Sequence, residues 1–444
     1  MRIRQERIGM TSIVLLALLS PGCRRQAPVE PSPSPTPAAA KPTPEEVQKA
    51  LQEASERDRQ KYASMTFHEF KASANVYKEP FEGGKYIVNG DTPLLGEKQL
   101  LEFFETKVKQ APPPQPSIRR QVELAVGHVG GLDLAWNQAL QAQLAYCVSR
   151  TGFGGRYDAV VREMAAATEA WERVAAVDFR HDVAQDGSCG PTNASVVFDV
   201  RPVDVGGEYL ARAFFPNEPR ADRNVLIDGS SFELEPDGTL QLVGILRHEL
   251  GHTLGFRHEH TRPSSGPCFE DNEWRALTSY DPLSVMHYPQ CNGQGDWSLT
   301  LTPLDESGVA CLYGPAAGFT IDPALVTSAS CRTPAPSPPA GVAQRKVFSG
   351  QSVALGGEKD HGSFEVVPGS LFEAKMTGTG DPDLYVRFGA KPTATIYNCR
   401  PYLATANETC AIETPAGQDK AFVTVRGYAA GSYTLEVKYL APAN

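Results

Sequence analysis

Two periodicities divide this chain. In "YDAVVREMAAATEAWERV" the apolar residues Val160, Val161, Met164, Trp171 and Val174 fall on one face at helical spacing, which predicts a helix with Trp171 as its core anchor. "TLQLVGILRHELGHTLG" repeats the pattern through Leu242, Leu246 and Leu250, with Thr239 as the expected N-cap and Gly255 placed to end the helix. Between them "ASVVFDV", "YLARAFFP" and "NVLIDG" read as strands, the first and third rich in β-branched residues. Upstream, a charged helical stretch runs over about 44–63, followed by strand-like "KYIVNG" and helical "GEKQLLEFFETKV". Downstream, "KVFSGQSVALGG", "SFEVVPGSLFEAKM", "DLYVRFG", "AFVTVRGY" and "YTLEVKYL" alternate in short runs between turn signals. The fold predicted is an α/β (α+β) domain followed by an all-β sandwich.

Proline marks the boundaries. The 444 residues divide into 1–22, a Pro-rich tether at 23–45, a small region at 46–117 ending in "APPPQPS", the α/β domain at 118–317, a second Pro-rich linker at 318–343 and the β domain at 344–444. Arg2, Arg4 and Arg7 precede the apolar run "SIVLLALLS", the layout of a secretory signal peptide too short to span a membrane. The chain is therefore expected to be exported. "LSPGC" resembles the lipobox of bacterial lipoproteins, so two outcomes stand: lipidation of Cys23 at the cell envelope, which is favoured, or cleavage and secretion. The eight other cysteines form no C-x-x-C pair and read as disulfides of an oxidising compartment, their connectivity open. A net charge of −10 argues against a nucleic-acid partner.

The chemistry concentrates in "HELGHTLGFRHEHTRP", which holds four of the nine histidines. His248 and His252, four apart on a helix, project from one face. Gly255 can turn the chain left-handed without a Cβ penalty and so bring back His258. Three imidazoles leave a fourth position for water, the layout of a catalytic zinc rather than a structural one. Glu249, beside the first ligand, is the expected general base for that water.

H-E-x-x-H-x-x-G-x-x-H resembles the metzincin zinc peptidases, and the segment "HTLGFRHEHTRP" is most similar to the astacins and the bacterial HEIGH-type peptidases, with Glu259 directly after the third histidine. "DPLSVMHYP" resembles their Met-turn. That resemblance implies Met286 beneath the metal and Tyr288 beside it, moving between metal and transition state. "LARAFFP" resembles the edge strand that receives substrate, and "LTPLDESGVACLYG" the segment closing the domain. The C-terminal region resembles the bacterial pre-peptidase C-terminal domain, which implies a loop closed by Cys399 and Cys410. Its Asp381 and Asp383 are either calcium ligands or solvated turn residues.

These features predict an exported zinc endopeptidase acting on protein or peptide substrates. Its membrane contact would run only through a lipid on Cys23, and oligomeric state is not legible. Two alternatives stand beside it: an anchored binding or adhesion protein with an inactive metzincin domain, and a zinc hydrolase of non-peptide amides. Asn89-Gly90-Asp91 also carries two readings. It is an ordinary turn, or it is the Gly-Asp of an astacin-type inhibitory pro-region whose carboxylate takes the position meant for water.

Overall fold

The computed structural model describes residues 64–109, 124–129, 131–234, 238–261, 273–288, 297–326, 331 and 340–443. The N-terminal apolar run with Cys23, the helical stretch at 44–63, the "APPPQPS" break, Cys268 and Cys291 lie outside them. Among the described residues no helix is long and apolar enough to cross a membrane.

A five-stranded sheet organises the central region. Its strands are β1 (Leu144–Val148), β2 (Phe179–His181), β3 (Phe198–Val203), β4 (Ala211–Arg212) and β5 (Asn224–Asp228), in the order β2-β1-β3-β5-β4. The first four in that order run parallel, and β4 closes one edge antiparallel to β5. Strands β3 and β5 carry the β-branched and apolar runs seen in the sequence. "YLARAFFP" pairs over only two residues. It lies on the edge, since no strand among the described residues pairs with its other side.

Helices α1 (Tyr157–Glu172) and α2 (Leu242–Thr253) pack against one another. Val160, Met164, Trp171 and Val174 are buried between them and the sheet, whereas Val161 is only partly covered. Trp171 is fully buried, its indole N–H donates to the Arg247 carbonyl at 3.1 Å, and its ring stacks on Phe256 at 5.7 Å. Thr239 does not cap α2. The helix begins after Gln241, which makes no side-chain cap, because Leu240 packs against the core instead of entering the first turn. At the other end, the Trp136 indole and the Tyr313 hydroxyl donate to the Thr253 and Leu254 carbonyls at 2.8 and 2.7 Å, satisfying acceptors the helix leaves open.

Residues 64–109 form a small unit of their own. A three-stranded antiparallel sheet (Tyr77–Lys78, Tyr86–Val88, Thr92–Leu94) and a helix at Glu97–Phe103 close over Phe70, Tyr86, Val88, Leu100 and Phe104. Alternate strand residues face opposite ways, so Ile87 points out of this cluster and packs on Tyr209 of the central region.

In the C-terminal region β6 (Val342–Val353), β7 (Glu358–Glu365), β8 (Leu371–Phe388), β9 (Glu408–Glu413) and β10 (Lys420–Ala441) form one continuous ladder. "AFVTVRGY" and "YTLEVKYL", read as separate strands, are two halves of β10, and "DLYVRFG" ends β8. Both long strands pass mid-length through close-approach glycines: a Cβ at Gly378 would lie 2.0 Å from the Ser432 carbonyl oxygen. Phe364, Phe372, Phe388 and Tyr439 from both halves meet in one apolar cluster, so the ladder folds over its own core. Disulfides join Cys147 to Cys189, Cys311 to Cys331 and Cys399 to Cys410, the last being the pairing the resemblance implied.

The contact between α1 and α2 holds the histidine helix on the sheet. Trp171→Ala should therefore cost about 3–5 kcal/mol, the usual range for a buried aromatic. Urea unfolding of the purified chain checks this, and a loss below about 1 kcal/mol would contradict the packing.

Candidate metal centre

Helix α2 fixes the first two imidazoles of the site. The His248 and His252 Nδ1–H groups donate to the Val285 and Phe256 carbonyls at 2.7 and 2.8 Å. These bonds set the tautomer and leave each Nε2 as a lone-pair donor. Burial holds both rings below the ordinary histidine pKa, so both are neutral, as a ligand must be. Gly255 then turns the chain at φ +89°, and a Cβ there would meet the Leu134 carbonyl oxygen at 1.6 Å. Only glycine fits, and the turn returns His258 to the same point.

Asp91 meets them there. One atom each from Asp91, His248, His252 and His258 lies within 4.8 Å of the others, and all four residues are buried. The Asp91 carboxylate stands 3.1 Å from His258 Nε2, 3.5 Å from His248 Nε2 and 3.9 Å from His252 Nε2. Donors at about 2.0–2.2 Å from a tetrahedral zinc stand about 3.4 Å apart, so this spacing fits that ion. Among the described residues the buried Nε2 atoms of His248 and His252 find no hydrogen-bond partner, which also fits a metal they would hold. Burial would raise Asp91, but His258 and His248 beside it hold its carboxyl well below the usual range.

Tyr288 donates its hydroxyl to the same carboxylate at 2.5 Å. Gly90, at φ +99°, makes this approach feasible, because a Cβ on it would sit 2.8 Å from that hydroxyl oxygen. Glu249 is fully buried, neither carboxylate oxygen has a hydrogen-bond partner among the described residues, and burial pushes its carboxyl up to about 8. Met286 lies beneath α2, where a Cβ on Gly251 would be 2.2 Å from its sulfur. Glu259 joins the histidine loop to this turn: its N–H donates to the Met286 carbonyl at 2.8 Å, and its carboxylate accepts from the Asp281 N–H at 3.1 Å.

The candidate residues of the peptidase site that lie within the described region are thus gathered around one point, whereas Asp381 and Asp383 lie elsewhere, against Lys98. Others were not foreseen. Asp305 accepts from Ser284 Oγ at 2.5 Å and from the Val285 N–H at 2.9 Å, fixing the turn that carries Met286 and Tyr288. Its signal was the T-x-x-D capping box at Thr302. Gly251 was legible only as a helical glycine. Glu79 forms a buried ion pair with Arg212 of β4, at 2.6 and 3.1 Å, and accepts from the Tyr209 hydroxyl at 2.5 Å. No local pattern announces a pair 133 residues apart.

Residues 135–266, spanning the sheet and the histidine motif, match the family model of the matrixins. A zinc metalloprotease of Helicobacter pylori is 39% identical over 102 residues, 23% of this chain and 39% of that protein. The chain carries a metzincin-type zinc peptidase domain. Zinc metalloproteinase nas-38 of Caenorhabditis elegans is 32% identical over 130 residues, 26% of this chain and 17% of that protein. Alkaline serine exoprotease A of Vibrio alginolyticus is 38% identical over 105 residues, 22% of this chain and 18% of that protein. The chain spans less than two fifths of the length of each of these relatives.

The three-imidazole set makes a direct prediction for metal content. His258→Ala should fold yet retain sub-stoichiometric zinc after dialysis, since two nitrogens form an incomplete site. Elemental analysis of the folded variant checks this, and zinc equal to wild type would contradict the set.

Proposed function

We propose that the chain is an exported zinc endopeptidase of the astacin-like branch, made as a zymogen. In this reading residues 46–117 are its inhibitory pro-region and Asp91 is the switch. The observation that carries it is the Asp91 carboxylate seated among His248, His252 and His258 and bonded by Tyr288. An ordinary turn aspartate would be solvated, whereas this one is 2% exposed.

His248, His252 and His258 would hold a zinc ion, which would supply Lewis-acid chemistry toward a scissile carbonyl and lower the pKa of a water to about 7. Glu249, its carboxyl brought back to the ionised form by a cation beside it, would take the proton of the attacking water and pass it to the leaving amine, a role its buried carboxylate is suited to. Tyr288 then donates to the oxygen on which charge develops. Asp91 blocks both functions at once, by filling the nucleophile's place and by engaging the Tyr288 hydroxyl. The Glu79–Arg212 pair supports the same reading, since it holds the segment against edge strand β4.

Protein and peptide substrates follow from this chemistry. The disulfides support an oxidising compartment, and we keep lipidation of Cys23 as the proposed anchor. Likeness to a serine exoprotease supports a module shared by proteases of unlike chemistry. We take residues 344–444 to be that module, a pre-peptidase C-terminal sandwich.

Two variants test the mechanism. Glu249→Gln should keep zinc and fold while losing casein or gelatin turnover by about 10²–10⁴-fold, and near-normal turnover would contradict the assigned base. Asp91→Ala should be active uncut, and cleavage within 110–118 should activate wild type but add little to this variant. Uncut wild type already fully active, with Asp91→Ala no different, would leave Asp91 a turn residue only.

A further inference from the structure

The N-terminal segment grips the C-terminal region through a lysine. Lys98, on the Glu97–Phe103 helix, is 8% exposed. Its ammonium donates to Asp381 Oδ1 at 3.0 Å, to Asp383 Oδ1 and to the Leu403 carbonyl at 3.0 Å, so its three N–H groups meet three acceptors. The rings of Tyr402 and Tyr428 stand with centroids 4.2 and 4.1 Å from Nζ, within the range of a cation–π contact. Every part of this cage belongs to the C-terminal region. Asp381 and Asp383 are residues of strand β8 rather than of a solvated turn.

The cage is held open by groups of its own. Buried Glu408 accepts from the Leu384 and Leu403 N–H groups at 2.6 Å each, fixing the strand beside Asp383 and the loop that presents the Leu403 carbonyl. Burial pushes Asp383 up to about 6 even with Lys98 beside it. Without a cation this buried carboxylate would be left uncompensated, which is costly. The shape also selects among cations. Calcium takes six to eight oxygens, whereas here two aromatic faces occupy much of the sphere. A planar guanidinium needs a flat fork of acceptors, and the three acceptors around one nitrogen suit a compact ammonium. Next to the cage, Arg400 stacks on Tyr402 at 4.0 Å and pairs with Glu102, one helical turn beyond Lys98.

We propose that this cage is a lysine-binding site for protein substrates, filled by Lys98 in the uncut chain and opened when the N-terminal segment leaves. The opening step rests on the pro-region reading above; the cage itself does not. The segment thus occupies two places that a substrate would use, the metal centre and a remote anchoring site.

The cage is tested in the full uncut chain, using Nα-acetyl-lysine amide as probe and saturation-transfer NMR as readout. Lys98→Ala should bind the probe at least about tenfold more tightly than uncut wild type, and acetyl-norleucine amide should not bind. Adding Tyr428→Ala, at an exposed residue that folding tolerates, should remove that gain. No gain in Lys98→Ala, or calcium bound there in place of the probe, would overturn the cage. Wild type cleaved within 110–118 should bind as Lys98→Ala does. If it does not while Lys98→Ala does, the cage stands and release of the segment is overturned. With the cleaved enzyme, acetylating the lysines of casein should raise KM at least about threefold with kcat unchanged, and Tyr428→Ala should abolish that difference. Equal KM for both caseins in wild type would overturn the substrate role.

Discussion

A Cβ at residue 255 would lie 1.6 Å from the Leu134 carbonyl oxygen, and the backbone there takes φ +89°. Both facts demand glycine, and the geometry of the site follows from the turn it permits. Helix α2 can present only two imidazoles to one point, because its residues four apart share a face. The third must come from chain that has left the helix and doubled back. The turn brings Phe256 with it, whose carbonyl orients His252 and whose ring stacks on Trp171. The left-handed residue therefore ties ligand geometry to the packing of α1 on α2.

Around that point lie buried polar groups that would be costly in an apolar core. Two imidazoles kept neutral by burial, a third beside them and a buried glutamate carboxyl pushed up to about 8 share a space that a bound cation would compensate. Asp305 and Glu259 hold the facing turn by hydrogen bonds to its backbone rather than by contact with the centre. Removing the Asp305 carboxylate should loosen Met286 and Tyr288 together.

The N-terminal segment reaches the rest of the molecule through several ionic contacts, among them Lys85 with Glu218, Lys107 with Glu273 and Glu102 with Arg400. Glu79 meets Arg212, Asp91 meets the histidines and Lys98 meets the acidic cage. Buried pairs of this kind add specificity of placement more than stability. In the proposed zymogen, tethering raises the effective concentration of each contact to the millimolar range, and a cut in the linker abolishes that advantage. A segment that would bind weakly in trans can thus inhibit fully in cis.

Much of this was legible in the sequence, and the parts that were not share a cause. His248, His252, Gly255 and His258 are set by local spacing, and Met286 and Tyr288 by a short motif, so one-dimensional reading reached them. Thr239 was misread because core packing of Leu240 overrode a local capping preference. The two halves of β10 were read as separate strands because glycines interrupt the run, where the ladder shifts register before pairing resumes on the other side. Arg212, Glu79 and Lys98 gave no signal, since each acquires meaning from a partner more than a hundred residues away. The central claim is that Asp91 fills the water position of the uncut chain. Its most direct test is the affinity of a peptide hydroxamate, which must enter that position, for the zinc-loaded chain before and after cleavage within 110–118. The account predicts binding at least about a hundredfold tighter after the cut, a coupling of about 2.7 kcal/mol. Equal affinity in the two forms would contradict it.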